Sequence, residues 1–268
     1  MNEVKVMSFN MRCRTEKDGA NYFDLRCPKI LSMLVMESPD VIGFQEVTEF
    51  MFEWLENNLK DYVLVGYGRE KGYTGESNPI AYKRDRFYLH GFRQETLSSA
   101  PQVVGSRWKG LDQSSCPRIY CCAELIDRES KELFAFFNTH LDHKGNQAQV
   151  AQTALLCERI TACGLPFVLT GDFNARPDAD AIRMILATKE YLGTNEATSE
   201  IGGTFHNFSM ERINEGKMVK IDYIFTNLPN DPAKSYAIAD DDRDGCFYSD
   251  HNAVCAFINT IFPETENE

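Results

Sequence analysis

Apolar positions along the chain fall into two rhythms. Six short runs rich in Val, Ile and Phe, at residues 4–9, 41–44, 133–137, 167–170, 221–225 and 253–258, are too short for helices and predict buried strands. Four longer stretches repeat apolar residues every three or four positions and predict helices. In 25–37, Ile30, Leu31, Leu34 and Val35 share a face, Pro28 is tolerated in the first turn, and Ser38-Pro39 ends the helix. Residues 49–59 group Met51, Trp54 and Leu55. Residues 147–163 repeat Val150, Ala154, Cys157 and Ile160 before Gly164 and Pro166. Residues 178–188 follow Pro177 and align Ile182, Ile185 and Leu186. Strands and helices alternate early and late, while 62–118 reads as strands and long loops. That distribution predicts an α/β fold with mixed or paired sheets under helices rather than a doubly wound parallel sheet.

Polar residues recur where the strand runs end. Asn10, Gln45-Glu46, Asn138-Thr139-His140 and Gly171-Asp172-Phe173-Asn174 each follow an apolar run, Asp250-His251 precedes the last one, and Asp222 lies inside its run. One such residue reads as a turn or cap. Repetition predicts a shared rim. Glu46, Asp172 and Asp250 on one rim would repel one another unless a divalent cation neutralised them, and oxygen ligands favour magnesium or manganese over zinc. Asp172 and Asn174, two apart in extended backbone, would face the same way, with Gly171 allowing a sharp turn or close ligand approach. Asp222 and His251 form a natural acid–imidazole pair, which would raise the histidine's pKa.

The 268-residue chain is 43% hydrophobic and 25% charged, an ordinary globular composition consistent with one domain over 1–268. Its 40 acidic against 28 basic residues give a formal charge of −12, which argues against tight duplex DNA binding. Nine cysteines without a C-x-x-C pair read as reduced thiols. The start, VKVMSFN, has no basic and apolar leader, and no segment approaches a membrane span. A cytoplasmic, monomeric protein is the default expectation, or a secreted one if a signal peptide had been removed. No nucleophile elbow, phosphate-binding loop or zinc helix occurs. A carboxylate-pair glycosidase and a noncatalytic scaffold are the competing classes.

SFN ending at Asn10, PDVIGFQEV, NTHLDH, LTGDFNARP, KIDYIF and SDHNAV, in that order over residues 8–254, resemble the endonuclease/exonuclease/phosphatase superfamily. That group includes DNase I-like nucleases, abasic-site endonucleases, deadenylases, inositol-polyphosphate phosphatases and neutral sphingomyelinases. The resemblance implies a four-layer α/β sandwich, two packed mixed β-sheets flanked by helices, with a metal site at one end. It implies Glu46 as the principal magnesium ligand, with Asn10 and Asp250 assisting. It also implies Asp172 activating water, Asn174 and His140 on the scissile phosphate, and His251, held by Asp222, stabilising developing charge. Wording around GYGRE and NPI is similar to deadenylase-like and small bacterial members. The expected partner is a phosphoester, small or a short single-stranded nucleic acid. Residues 66–79 and 204–206 are expected rim loops, Arg118 a substrate contact, and Asp142 and His143 solvated loop residues. Asp240–Asp242, Asp244 and the ETENE tail are expected to be the densest part of a solvated acidic surface.

Overall fold

A computed structural model describes residues 3–242 and 245–261. The first half of the chain runs β1 (Glu3–Asn10), α1 (Phe23–Glu37), β2 (Val41–Gln45), α2 (Glu49–Asn58), β3 (Tyr62–Val65), β4 (Ile80–Lys83) and β5 (Phe87–Thr96). It continues with β6 (Ile119–Asp127), β7 (Leu133–His140), α3 (Asn146–Cys163), β8 (Phe167–Asp172), α4 (Asp180–Ala187), β9 (Asn195–Glu196), β10 (Asp222–Thr226), β11 (Tyr236–Ala237) and β12 (Val254–Asn259). Every apolar run is a strand, and all six of these strands extend into the polar residues that follow their runs. These make two six-stranded sheets, ordered β11-β12-β1-β2-β4-β3 and β5-β6-β7-β8-β10-β9. Each sheet is antiparallel except for one parallel pair, β1 with β2 and β7 with β8, and each of these is joined through a helix as the geometry of a parallel crossover requires.

Three apolar layers hold the sandwich. Val4, Val6, Phe134, Phe136, Ile224 and their neighbours fill the space between the sheets. Leu156, Ile160, Ile182 and Ile185 cover the second sheet, and Ile30, Leu34, Met51 and Leu55 cover the first. The result is the expected four-layer α/β sandwich. The expected helix faces keep their central residues and differ at their edges: Val35 is 66% exposed, Ala154 is exposed, and α1 also buries Phe23, Arg26 and Met33. Arg26 tolerates this because its guanidinium donates to the carbonyls of Asn21, Met11, Tyr248 and Arg12, so a residue that reads as polar surface is a fully buried clamp.

Near one end, a polar layer replaces the apolar contacts between the sheets. Gln45 Nε2 donates to Ser8 Oγ and, at 2.7 Å, to Asn138 Oδ1, and Thr170 Oγ1 donates to the same oxygen at 3.1 Å. Asn138 Nδ2 donates to the Phe44 carbonyl at 2.7 Å and to those of Asn78 and Pro79. Gly43 sits against this layer because a Cβ there would lie 2.1 Å from Thr170 Oγ1. Gln45, Asn138 and Thr139 therefore do not join the expected rim: all are fully buried, and Gln45 and Asn138 tie one sheet to the other. Among the described residues no helix is long and apolar enough to cross a membrane, and all nine cysteines are free.

Candidate active site

Directly above the polar layer, strand register brings the remaining polar ends together. Asn10 pairs with Gln45 across β1 and β2, which sets Glu46 beside it. In the second sheet His140, Asp172 and Asp222 lie in one row across β7, β8 and β10. His251 joins through a bridge to Phe205. The two sheets meet here: Asn10 Nδ2 donates to Asp172 Oδ2 at 2.9 Å and to Glu46 Oε1 at 3.3 Å. A cavity of about 360 Å³ is lined by Glu46, His140, Asp172, Asn174, Asp250, His251 and Arg118, among others. Asn10 and Asp222 stand behind it as hydrogen-bond partners.

Glu46 and Asn174 leave their strands in left-handed backbone, at φ 61° and 49°. Asn174 is therefore not related to Asp172 by strand alternation. Its backbone N–H donates to Asp172 Oδ1 at 2.8 Å, and its Nδ2 donates to the Leu141 carbonyl and His140 Nε2. Gly171 serves neither a turn nor a ligand: a Cβ there would lie 2.5 Å from the Thr139 carbonyl oxygen of the neighbouring strand.

Asp222 Oδ2 accepts from His251 Nδ1 at 2.9 Å and from Thr204 Oγ1 at 2.5 Å. Burial alone would lower the His251 pKa, but the charge and hydrogen bond of Asp222, with Asp172 and Asp250 nearby, raise it to about 10. His251 is an imidazolium at neutral pH. Burial pushes Asp172 up to about 7 against the pull of His251, with Asp222 adding to the rise. His140 is held well below its usual range by burial and by the Arg118 and Arg69 charges. Burial acts to raise Glu46, yet the Cys13 N–H, Arg12 and His251 outweigh it and keep the carboxyl below the ordinary range. Asp250 is raised by burial, opposed by His251 and reinforced by Glu46.

Asp172, Asp222 and His251 each offer a ligand atom within 4.8 Å of the others, which by distance could hold a metal ion. His251, protonated and with its Nδ1–H spent on Asp222, has no lone pair to give a metal, and Asp222 is further occupied by Thr204. The set better fits a hydrogen-bonded relay. Glu46 and Asp250, hard oxygen donors whose charges oppose each other in one cavity beside the Asn10 amide, fit a divalent cation.

Sequence reasoning placed Asp142 and His143 in solvent. Asp142 is instead fully buried, accepting from Ser114 N and Oγ, Lys144 N and Gly145 N, which together repay its desolvation. His143 is exposed, but its Nδ1 accepts from Arg118 Nη2 at 2.9 Å and it lines the cavity. Arg12, Cys13, Arg69 and Glu76 also line it and were not singled out. The only sequence signal for Arg69 was its place in the expected rim loop 66–79, where Glu70 and Glu76 offset the charges of Arg69 and Lys71. Asp240 is another correction, buried and paired with Lys29 at 2.9 Å rather than solvated; Asp244 and the ETENE tail lie outside the described residues.

A family model described as the Endonuclease/Exonuclease/phosphatase family matches residues 7–251. An endonuclease/exonuclease/phosphatase from Bacteroides vulgatus is 28% identical, with a TM-score of 0.87 over 96% of this chain and 98% of that one. A mannosyl-6-phosphatase from Bacteroides thetaiotaomicron is 24% identical, with a TM-score of 0.78 over 95% and 99%. D. rerio TDP2 complexed with a single-strand DNA product is 16% identical, with a TM-score of 0.72 over 96% and 99%. The last two likenesses concern the fold. No curated protein matches the chain.

Proposed function

Because the chain belongs to the Endonuclease/Exonuclease/phosphatase family, we propose that it is a divalent-metal-dependent phosphoesterase that hydrolyses its ester by in-line attack of an activated water. One observation carries this reading: Glu46, Asp172 and Asp250 share a small cavity with an Asp222-bound imidazolium, His251. A glycosidase needs two carboxylates and no such cation. A noncatalytic scaffold has no physical use for buried acids that oppose one another's ionisation.

A magnesium or manganese ion held by Glu46, with Asn10 and Asp250 alongside, would supply Lewis-acid charge neutralisation to the phosphate oxygens. The side chains account for the rest. Asp172 has both carboxylate oxygens fixed, by Asn10 and by the Asn174 N–H, and burial raises its pKa to about 7, which makes it a stronger base than an exposed carboxylate, so it orients the attacking water and takes its proton. His140 and Asn174, hydrogen-bonded to each other at 2.9 Å, exchange that contact for the scissile phosphate when substrate enters, and Arg118 touches the substrate beside them. His251 Nε2, 3.8 Å from Asp172 Oδ2, faces the same space and stabilises charge as it develops. The bulk acidity, −12, favours a small phosphoester or short single strand over a duplex.

Glu46→Ala and Asp172→Ala should each lower kcat/KM on bis(p-nitrophenyl) phosphate with magnesium by about 10³ or more while circular dichroism remains native. EDTA should abolish wild-type turnover and added magnesium restore it. Undiminished activity in both variants refutes the reading.

A further inference from the structure

Two arginines line the active-site cavity with donors to spare. Arg118, just after Pro117 at the entry to β6, is 3% exposed. Its Nη2 donates to His143, while Nε and Nη1 have no hydrogen-bond partner. The nearby carboxylate does not satisfy it: Asp142 Oδ2 is 3.8 Å from Nε and is taken up by Ser114, as Asp142 Oδ1 is by Lys144 and Gly145. Arg69 is 7% exposed; its Nη2 pairs with Glu76 at 3.0 Å, and its Nε has no partner. The two guanidiniums are close enough for the charge of Arg69 to disfavour that of Arg118. An ion pair built only for stability would not leave buried donors of two like charges unmet, whereas an anion site requires them.

Arg69 is held in a fixed relation to the acidic wall. Its N–H donates to the Glu76 carbonyl, Glu70 N–H to Thr74, and Ser77 and Val47 exchange two backbone bonds, which anchors the segment to the residue after Glu46. The cavity lining carries both signs, Glu46 and Asp250 with Arg12 beside them, and Arg69 and Arg118 with Glu76 on Arg69. The unmet positions are Arg118 Nε, Arg118 Nη1 and Arg69 Nε. A phosphate monoester offers three unsubstituted oxygens and, near neutral pH, up to two negative charges; a diester offers two such oxygens and one charge.

Resting on the phosphoesterase reading and deepening it, we infer that Arg69 and Arg118 form a cradle for a terminal phosphate, so that the substrate is a phosphate monoester and Arg69 selects it over a diester. The ester bond is cleaved by water as above, with the phosphate leaving as inorganic phosphate and the proton passing from water by way of Asp172 to the departing alcohol.

The test compares p-nitrophenyl phosphate with bis(p-nitrophenyl) phosphate on the magnesium-loaded wild type, Arg69→Gln and Arg69→Lys, and measures inorganic phosphate binding to the metal-free proteins by calorimetry. The wild type should prefer the monoester by about tenfold or more in kcat/KM, and Arg69→Gln should cut that ratio by about tenfold and weaken phosphate binding, with Arg69→Lys intermediate because it keeps charge without the fork. An equal fall on both esters, a diester preference in the wild type, or phosphate affinity unmoved in both variants overturns the cradle. If the wild type cleaves neither ester yet binds phosphate through Arg69, the cradle stands and the phosphoesterase reading fails. If it cleaves the diester best and the ratio ignores Arg69, the reverse holds.

Discussion

One carboxylate, Asp222, sets the charge state of His251 through a 2.9 Å hydrogen bond. Removing that charge should be felt in the pH profile before it is felt in the fold. With Asp222 present, the imidazolium persists until pH rises through about 10. In Asp222→Asn the deprotonated form appears at lower pH, so the alkaline limb of the pH–rate profile should move down by a unit or more and kcat fall by about 10². A limb that stays in place would mean that His251 charge is not required. Residue identity was legible in the sequence where chemistry and strand ends coincide, as at Glu46, Asp172 and His251. It was not legible for Arg69, Asp142 or Arg26. Whether a charged side chain is buried depends on partners far along the chain, such as the Tyr248 carbonyl for Arg26, and no local pattern encodes them.

At the scale of elements, the apolar runs located the strands because β-branched and aromatic residues in short blocks have few alternatives. Helix positions were equally legible, as were buried anchors such as Ile30, Leu34, Met51, Leu55, Ile182 and Ile185, but the edges of the buried faces were not. Ala154 turns outward while Gln149, Gln152 and Thr153 are buried, since α3 is oriented by the sheet it covers rather than by its own weak apolar stripe. The inter-sheet polar layer was likewise invisible, because Gln45 and Asn138 look like their neighbours on the rim. Asn138 alone reaches Phe44, Asn78, Pro79, Gln45 and Thr170, so Asn138→Ala should cost about 2–4 kcal/mol of stability by leaving several buried groups unpaired. Chemical denaturation measures this directly. Activity should fall further than the loss of folded protein explains, because Glu46 and Asp172 sit on opposite sides of the contact that Asn138 secures.

The molecule as a whole should be sensitive to acid at a point the site does not use. His206 is fully buried, its ring tilted against that of Phe247 at 5.0 Å between centroids, with neither ring nitrogen partnered, and burial lowers its pKa to about 4. A depressed histidine stays neutral in the fold while the unfolded chain binds the proton from pH 6.5 downward, so stability falls as pH drops from 6.5 towards 4. His206→Phe keeps an aromatic ring against Phe247 without the proton, and its advantage over wild type should grow by about 2 kcal/mol between pH 8 and pH 5. A constant difference in denaturation free energy across that range would contradict this. Topology adds a consequence of another kind. Strand β1, which carries Asn10 to the site, lies between β2 and β12, and β12 is the last strand among the described residues and begins three residues after His251. Folding from the N-terminus onward leaves one edge of β1 unpaired, and the site without His251, until residues 250–259 have been made. The cluster around Asn10 therefore cannot be complete before β12 docks, and deleting the segment from Asp250 to Asn259 would remove an imidazolium and a strand partner of β1 in one step.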